Sequence, residues 1–310
     1  MSETGDFSDF QASWKRLAER VAGQHWPQSA LYVVATPIGN LGDMGLRAWQ
    51  ALARCDVVAA EDTRATRPLL EAWGISTPLM AAHRHNEAQA AQAIVARLAQ
   101  GQKVALVSDA GAPAVCDPGA RIVRAVREAG YQVVAIPGAS SVIAALMASG
   151  VTSDENPAFV FAGFLPAKPG ARQKWLRLWC AAPAPVVAFE SPHRVVAAVR
   201  DIAEACGPQR RLTIARELTK RFEQVHTLTA GDASAWFEAD VHRGQGEFVL
   251  IIHEADAAGV DAEDIPPSAL TLLDALLEAV STRDAAKIAA KATGLSRDVL
   301  YKAALSRRPD

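Results

Sequence analysis

The sequence predicts an α/β protein: two consecutive α/β blocks, the first with a largely parallel sheet and the second with a mixed one, then a small helical module. Three observations carry this expectation. Short apolar runs alternate with amphipathic helical patterns from Leu31 to Gly150, and again over residues 158–255. Three loops bearing glycine and proline, Thr36–Asp43, Ser108–Pro113 and Pro137–Ser141, each follow an apolar run directly. Beyond Ser268 the pattern is helical throughout.

Taken in order, residues 1–29 form an extension. Within it Phe7, Phe10, Trp14, Leu17 and Val21 recur at alternating spacings of three and four, a helical seam ending near Gly23. A single short helix is marginal in water, so it is expected to pack on its own domain or to fray, with docking to a partner or subunit as the competing reading. In the first block, residues 30–150, strands are expected at 31–35, 56–60, 104–107 and 132–136. Helices are expected at 44–54, 64–73, 87–100, 119–129 and 139–149. Strands separated by helices pair in parallel, because a parallel pair needs a long crossover. Ser153, Asp154, Glu155 and Asn156 mark a linker. The second block, residues 158–255, has strand patterns at 158–163, 185–190, 211–215, 224–229 and 247–253, with helices at 170–181, 193–206 and 231–239. The short interval between 211–215 and 224–229 predicts antiparallel pairing, hence a mixed sheet. An acidic stretch ending in Pro266-Pro267 is a second linker. In the module, residues 266–307, Leu270, Leu273, Leu276, Leu277 and Val280 make one apolar stripe. Thr282–Ala292, a turn at Thr293-Gly294-Leu295, and Ser296–Leu305 with Ser296 as N-cap then read as a helix-turn-helix.

Half of the 310 residues are hydrophobic and the net charge is −2. A sizeable core is available, and a chain coated in basic residues is excluded, so any nucleic-acid surface must be local. From Ser281 onward seven basic residues stand against three acidic ones, net +4. That is a nucleic-acid footprint, with a solvated helical appendage as the competing reading. No apolar run reaches membrane-spanning length. The first residues, with Glu3, Asp6 and Asp9, have no signal-peptide core, so a cytoplasmic protein is expected. Cys55, Cys116, Cys180 and Cys206 form no C-x-x-C, zinc or disulfide pattern, and reduced thiols are expected.

Ligands bind beyond the carboxyl ends of parallel strands, so the three loops predict one crevice walled largely by backbone. Gly39, Gly42 and Gly45 are spaced G-x-x-G-x-x-G and no Walker lysine follows, which argues against a dinucleotide or P-loop site, although Glu61 lies where a ribose-binding acid would. Asp109 can accept from a ligand amino group or balance a positive charge; its alternative is a helix cap. Glu61 and Asp62 are adjacent carboxylates beside Arg64 and need partners if buried; Asp62 as a plain N-cap competes. His83 and His85 have the spacing that places both imidazoles on one face of a strand. With only Glu87 as a third ligand they fall short of a zinc set, so no metal is expected. His83 is instead a candidate base. Glu190-Ser191-Pro192-His193-Arg194 passes from strand to helix, and Ser191 lacks the G-x-S-x-G elbow of a hydrolase. Arg194, Arg216, Lys220 and Arg221 read as phosphate contacts, against ion pairing with Glu217 and Glu223.

The segments Leu31–Leu41, Ala59–Arg64, His83–Glu87, Ser108–Pro113 with Asp117–Gly119, Gly163–Pro166, Phe189–Arg194 and Ala215–Lys220 occur in that order. The ordered set resembles the tetrapyrrole-methylase superfamily. Within it, the chain is similar to the bacterial enzymes that methylate the ribose 2′-hydroxyl of a decoding-centre cytidine in small-subunit ribosomal RNA, over about Leu31 to Leu305. Ala112 stands where the family has threonine, and Ala139 where proline is common. The resemblance implies S-adenosylmethionine folded between the two α/β blocks, contacted by Pro37, Asp109, Ala112, Ser140, Ser141, Phe189, Glu190, Gly246 and Glu247. It implies a homodimer acting on small-subunit ribosomal RNA or the small ribosomal subunit. RNA contacts are then expected from Arg64, Arg194, Arg216 and Lys220, and from Lys287, Lys291, Arg297 and Lys302 of the module. Candidates to take the hydroxyl proton are Glu61, Asp62, His83 and Glu190. Two other readings stay open: a methylase of the same fold acting on a tetrapyrrole or a protein side chain, and a non-enzymatic helix-turn-helix protein.

Overall fold

The computed structural model describes residues 7–154, 156–255, 265–293 and 295–307. The first sheet comprises β1 (Ala30–Val34), β2 (Val57–Ala60), β3 (Leu79–Ala81), β4 (Val104–Val107) and β5 (Gln132–Ile136). Its order is β3-β2-β4-β1-β5 and every pair is parallel. Side chains alternate between two apolar layers. Tyr32, Val34, Val58 and Val107 meet α2 (Leu46–Arg54) and α3 (Thr63–Ala72), whereas Leu31, Val57, Val104 and Leu106 meet α4 (Glu87–Ala99) and α5 (Ala120–Glu128). Burial on both faces explains why these strands read as unbroken apolar runs. Strand β3 lies outside the expected set. Its three residues are half-buried or exposed, too short a stretch to give a periodic signal.

Helix α1 (Phe7–Ala22) packs on α2, with Val21 buried and Arg54 Nη2 donating to Ala22 O at 3.0 Å. Trp14 and Leu17 stay 47% exposed, so of the described seam residues only Val21 is buried. The side chains of Phe7 and Phe10 lie outside the described residues.

The second sheet comprises β6 (Val160–Phe164), β7 (Val186–Glu190), β8 (Arg211–Arg216), β9 (Gln224–Thr229) and β10 (Phe248–Ile252), in the order β6-β7-β10-β8-β9. β6 and β7 run parallel and the remaining pairs antiparallel, including the expected β8–β9 pair. One face, with Val186, Ala188, Leu212, Ile214, Leu250 and Ile252, is covered by α7 (Pro169–Trp179), α8 (Val195–Cys206) and α9 (Ala233–Glu238). The other face, with Val187, Ala215, Val249 and Ile251, receives α6 (Ser141–Ser149), the last helix of the first block in sequence. Val142, Ala145 and Leu146, spaced i, i+3 and i+4, form its buried seam.

Cys180, which caps α7, and Cys206, the last residue of α8, are joined as a disulfide, their Cα atoms 5.8 Å apart. This corrects the expectation of four thiols. A separation of 26 residues carries no motif, and only the packing of α7 on α8 brings the pair together. Cys55 and Cys116 are free.

At the C-terminus α10 (Pro267–Leu277), α11 (Thr282–Thr293) and α12 (Arg297–Arg307) enclose a separate core of Leu273, Ala285, Ala286, Ala289, Leu300 and Ala304. Ser281 caps α11 through Asp284 N–H at 3.1 Å, and Arg307 bonds Asp274 at 2.8 and 3.1 Å, tying α12 to α10. Gly294 of the expected turn, Arg308 and residues 256–264 of the linker lie outside the described residues. Among those described, no helix is long and apolar enough to cross a membrane.

Because α6 is the apolar joint between the sheets, Leu146→Ala is expected to lower the unfolding free energy in urea by about 2–5 kcal/mol. A variant with an unchanged midpoint would show that the joint contributes little.

Candidate active site

The strand order places β1 between β4 and β5, so the three glycine- and proline-bearing loops emerge side by side at the carboxyl edge. The first two are zipped together: Thr36 N–H donates to Gly111 O at 2.9 Å, and Gly111 N–H returns to Thr36 O at 3.1 Å. A cavity of about 380 Å³ separates this edge from the second sheet. Ala112, Ser140 and Ser141 line it from the loops, and Phe189, Glu190 and Glu247 from the opposite side. Ile38, Val142, Phe164, Leu218 and Phe248 give it apolar walls. Pro37, Asp109 and Gly246 adjoin these segments but do not line the cavity itself.

Glu190 ends β7 with a fully buried side chain. Its Oε1 accepts from Ser191 N–H at 2.7 Å and from Arg194 Nη2 at 2.5 Å. Its Oε2 is buried and has no hydrogen-bond partner among the described residues. Leaving such an acceptor unsatisfied costs about 1–3 kcal/mol or more, so this oxygen suits a donor brought by a ligand. Arg194, expected at RNA, serves here as the counter-ion of Glu190 and also donates to Ser191 Oγ at 3.1 Å.

Neighbouring carboxylates are sorted by their surroundings. Burial pushes the Glu61 carboxyl up, and the charges of Asp117 and Asp109 add to the rise. Burial likewise raises Asp117, with Asp109 contributing, while Ser108 and Arg84 pull it back in part. Asp62 goes the other way. It caps α3 by accepting from Arg64 N–H at 2.8 Å and holds the Arg64 guanidinium at 2.7 and 3.1 Å, which brings it down to about 2. Asp109 Oδ1 accepts from Asp62 N–H at 3.0 Å, fastening the second loop to the end of β2.

His83 is not on a strand. β3 stops at Ala81, and His83 opens a turn in which its N–H donates to Asn86 Oδ1 at 2.8 Å. The His83 and His85 rings meet edge-on, centroids 6.0 Å apart, and the His83 Nδ1 is buried without a partner among the described residues. No cluster suited to a metal occurs among the described residues.

Two adjacent basic candidates part company. Arg216, expected to contact phosphate, is buried and donates to Gln245 O at 2.6 Å and to Phe222 O and Gln224 Oε1 at 3.3 Å. Its guanidinium pins a loop and is not presented to a nucleic acid. Lys220 Nζ bridges Glu217 Oε1 at 2.9 Å and Glu247 Oε2 at 3.0 Å. Burial alone would raise Glu217, but Lys220 and the Glu247 N–H outweigh it and the net shift is downward. The Lys220 stem crosses Gly39 (φ 145°), where a Cβ would come within 2.5 Å of Lys220 Cγ. Glu217, at φ 51°, lies as close to Gly246. Arg64 and the module's Lys287, Lys291, Arg297 and Lys302 are exposed.

Sequence reasoning gave no role to Asp117 or Arg84. The signal was present: Asp117 precedes Pro118-Gly119 much as Asp109 precedes Ala110-Gly111. Because the folded pKa of Asp117 lies above its unfolded value, the native state binds more proton between the two, and stability falls as pH rises through that window, from about 4 upward. Asp117→Asn removes this loss. Its unfolding free energy relative to the parent is expected to rise between pH 4 and 7 in urea titrations, and a pH-independent difference would refute the assignment.

With this geometry in place, comparisons with known proteins agree on the lineage. The model of the tetrapyrrole (corrin/porphyrin) methylases matches residues 30–234, and that of the RsmI C-terminal HTH domain matches residues 263–308. The chain is 45% identical to Ribosomal RNA small subunit methyltransferase I of Neisseria meningitidis serogroup B, over 96% of this chain and 98% of that protein. It is 43% identical to the Escherichia coli O157:H7 protein of the same name, over 91% and 96%. Among solved structures, uroporphyrin-III C-methyltransferase from Thermus thermophilus in complex with S-adenyl homocysteine superposes with a TM-score of 0.51 at 16% identity, over 72% of this chain and 96% of that one, a likeness of fold. The chain belongs to the tetrapyrrole (corrin/porphyrin) methylase family, alongside the proteins named Ribosomal RNA small subunit methyltransferase I.

Proposed function

We propose that this protein transfers a methyl group from S-adenosylmethionine to a ribose 2′-hydroxyl, that of a cytidine in the decoding centre of small-subunit (16S) ribosomal RNA. The observation that carries the reading is that its likeness to the small-subunit ribosomal RNA methyltransferases runs through both sheets and the C-terminal helices. A tetrapyrrole or protein side-chain methylase has no evident use for a basic helical module, and a non-enzymatic nucleic-acid reader has none for the crevice. In this reading residues 30–150 and 158–255 are the two methylase domains and 266–307 the RNA-binding module. The protein works in the cytoplasm as a homodimer, on ribosomal RNA or the small subunit. Ile143 and Met147, exposed four residues apart on α6, offer apolar surface for a second copy.

The crevice residues fit this cofactor. Its volume lies in the range of small-molecule sites, its walls are apolar, and the orphaned Glu190 Oε2 awaits a hydroxyl or amino donor. Ala112, Ser140, Ser141, Phe189 and Glu247 would complete the contacts. When bound, S-adenosylmethionine supplies an electrophilic methyl group on its sulfonium. The chain has to bind it, exclude water and relieve the acceptor hydroxyl of its proton. Phe189, with its ring 5.3 Å from that of Phe164, shields one side. For the proton, Glu61 is the one of the four candidates that its electrostatics favour. Its raised pKa makes its carboxylate a stronger acceptor than Asp62, which is held down by Arg64. Glu190 already binds Arg194; Glu61, Asp62 and His83 do not line the cavity itself, but Glu61 lies within the field of Asp117, which does. Exposed Arg64 and the module's lysines and arginine would meet phosphates, which fix position rather than sequence.

The direct test is tritium transfer from labelled S-adenosylmethionine into small-subunit ribosomal RNA, with the product nucleoside identified after digestion. Label in 2′-O-methylcytidine is expected; label on a base, or none in RNA, rejects the reading. Glu61→Gln is expected to slow single-turnover transfer by about 10²–10⁴-fold while cofactor and RNA affinities hold. A rate within a few-fold of the parent would leave alignment alone to carry catalysis. Removing residues 266–310 is expected to preserve S-adenosylhomocysteine binding by calorimetry but to weaken RNA binding and flatten its salt dependence. Equal RNA affinity across a salt series would clear the module of that role.

A further inference from the structure

Asp117 is shared by two cavities. Beyond it, away from the crevice, lies a second hollow of about 300 Å³ into which three arginines converge. Arg84 comes from the turn after β3, and Arg121 and Arg124 from the start of α5. All three are exposed. Of the two acids lining the hollow, Asp117 and Glu87, the second is already committed. Glu87 is buried, its Oε1 accepts from Gly119 N–H at 2.9 Å and Arg121 N–H at 3.1 Å, and its Oε2 stands 3.8 Å from Arg121 Nε. Two backbone donors at the start of α5 are thereby occupied, and the guanidinium groups are the charged donors left for an anion. Arg124 makes no ion pair or hydrogen bond with an acidic side chain among the described residues. Placing arginines in the opening turns of a helix also runs against its dipole, which favours acids there. Three converging guanidinium groups against two carboxylates, Glu87 and Asp117, leave the hollow with an excess of positive charge.

We propose that this hollow is a phosphate subsite, and that Arg84, Arg121 and Arg124 hold a backbone phosphodiester of the RNA acceptor strand next to the crevice. The inference rests on the RNA-methylation reading above and deepens it. Arginine presents a planar fork that matches phosphate oxygens bidentately. A phosphate held on one side of Asp117 fixes the adjoining ribose toward the other side, where the cofactor crevice lies. Arg84 lines the hollow, and its charge reaches both Glu61 and Asp117. The subsite would therefore set the register of the strand against the reacting centre, a positioning role distinct from the affinity supplied by the C-terminal module.

The test uses the full-length protein carrying Arg121→Gln and Arg124→Gln together, leaving Arg84 intact because it also touches the crevice electrostatics. The acceptor is small ribosomal subunits from cells lacking this methyltransferase. The slope of log binding constant against log salt is expected to become shallower by about 0.7–0.9 for each phosphate that is no longer neutralised. KM for the acceptor rises, while S-adenosylhomocysteine affinity by calorimetry stays at the parent value. Arg121→Lys with Arg124→Lys restores most of the slope, because an ammonium still neutralises a phosphate. The single variant Arg124→Gln, at an exposed side chain, gives the same reading should the double variant fold poorly. If the parent methylates the subunits and the glutamine variants keep its slope and KM, the subsite is wrong and the methylation reading stands. If the parent neither binds nor methylates ribosomal RNA, both fall together.

Discussion

The site depends on where α6 is buried. This helix ends the first α/β block in sequence, yet it sets Val142, Ala145 and Leu146 against Val187, Ala215, Val249 and Ile251 of the second sheet. Fully burying an aliphatic side chain contributes about 1.5–3 kcal/mol, so the seam is strong enough to hold two sheets in one arrangement. It also explains the continuous apolar character of β7 and β10. Their alternate residues must satisfy α7 and α8 on one face and α6 on the other. The short Pro137–Ser141 loop, leading directly into α6, is thereby carried to the gap between the sheets, and the carboxyl edge of the first sheet faces Glu190 across the crevice.

Around that gap, one chemical group acquires three characters. Glu190 is buried with one oxygen ion-paired and the other open. Glu61 and Asp117 share a partly buried carboxylate cluster and are pushed toward the neutral form. Asp62, one residue from Glu61, is held ionised by an exposed arginine and does a cap's work. Solvent access and the nearest charge account for these differences, because each acts on the charged state alone.

A second clasp spans the crevice rim. Lys220 lies over Gly39 and bonds Glu217 and Glu247, so a strand-end loop of the second sheet is latched to the first loop of the other. Glu217 and Thr219 adopt left-handed backbone, at φ 51° and 65°. Such conformations persist in non-glycine residues only where surrounding contacts enforce them. Here the enforcing contacts are the ion pair itself, the Thr219 N–H bond to Glu223, and the buried Arg216 that anchors the loop.

Much of the fold was legible because its signals are local. Period-two and period-3.6 apolar patterns are written in neighbouring residues, as are loops that follow strands directly and the ordered segments of a family. They gave the parallel first sheet, the antiparallel β8–β9 pair and the crevice-lining Ala112, Ser140, Ser141, Phe189, Glu190 and Glu247. β3 escaped because three half-exposed residues carry no period. What sequence could not decide was the partner of each polar side chain. Arg216 and Lys220 look alike in one motif, yet one is buried against backbone carbonyls and the other clasps the rim. Cys180 and Cys206 meet only because α7 packs on α8, and Asp117 matters only because two loops and the hollow beside α5 converge on it. Burial, pairing and pKa are set by groups distant in sequence. The sequence by itself therefore determined the elements and their lineage, and the tertiary structure alone decided which charges are spent on holding the fold and which are left for a ligand.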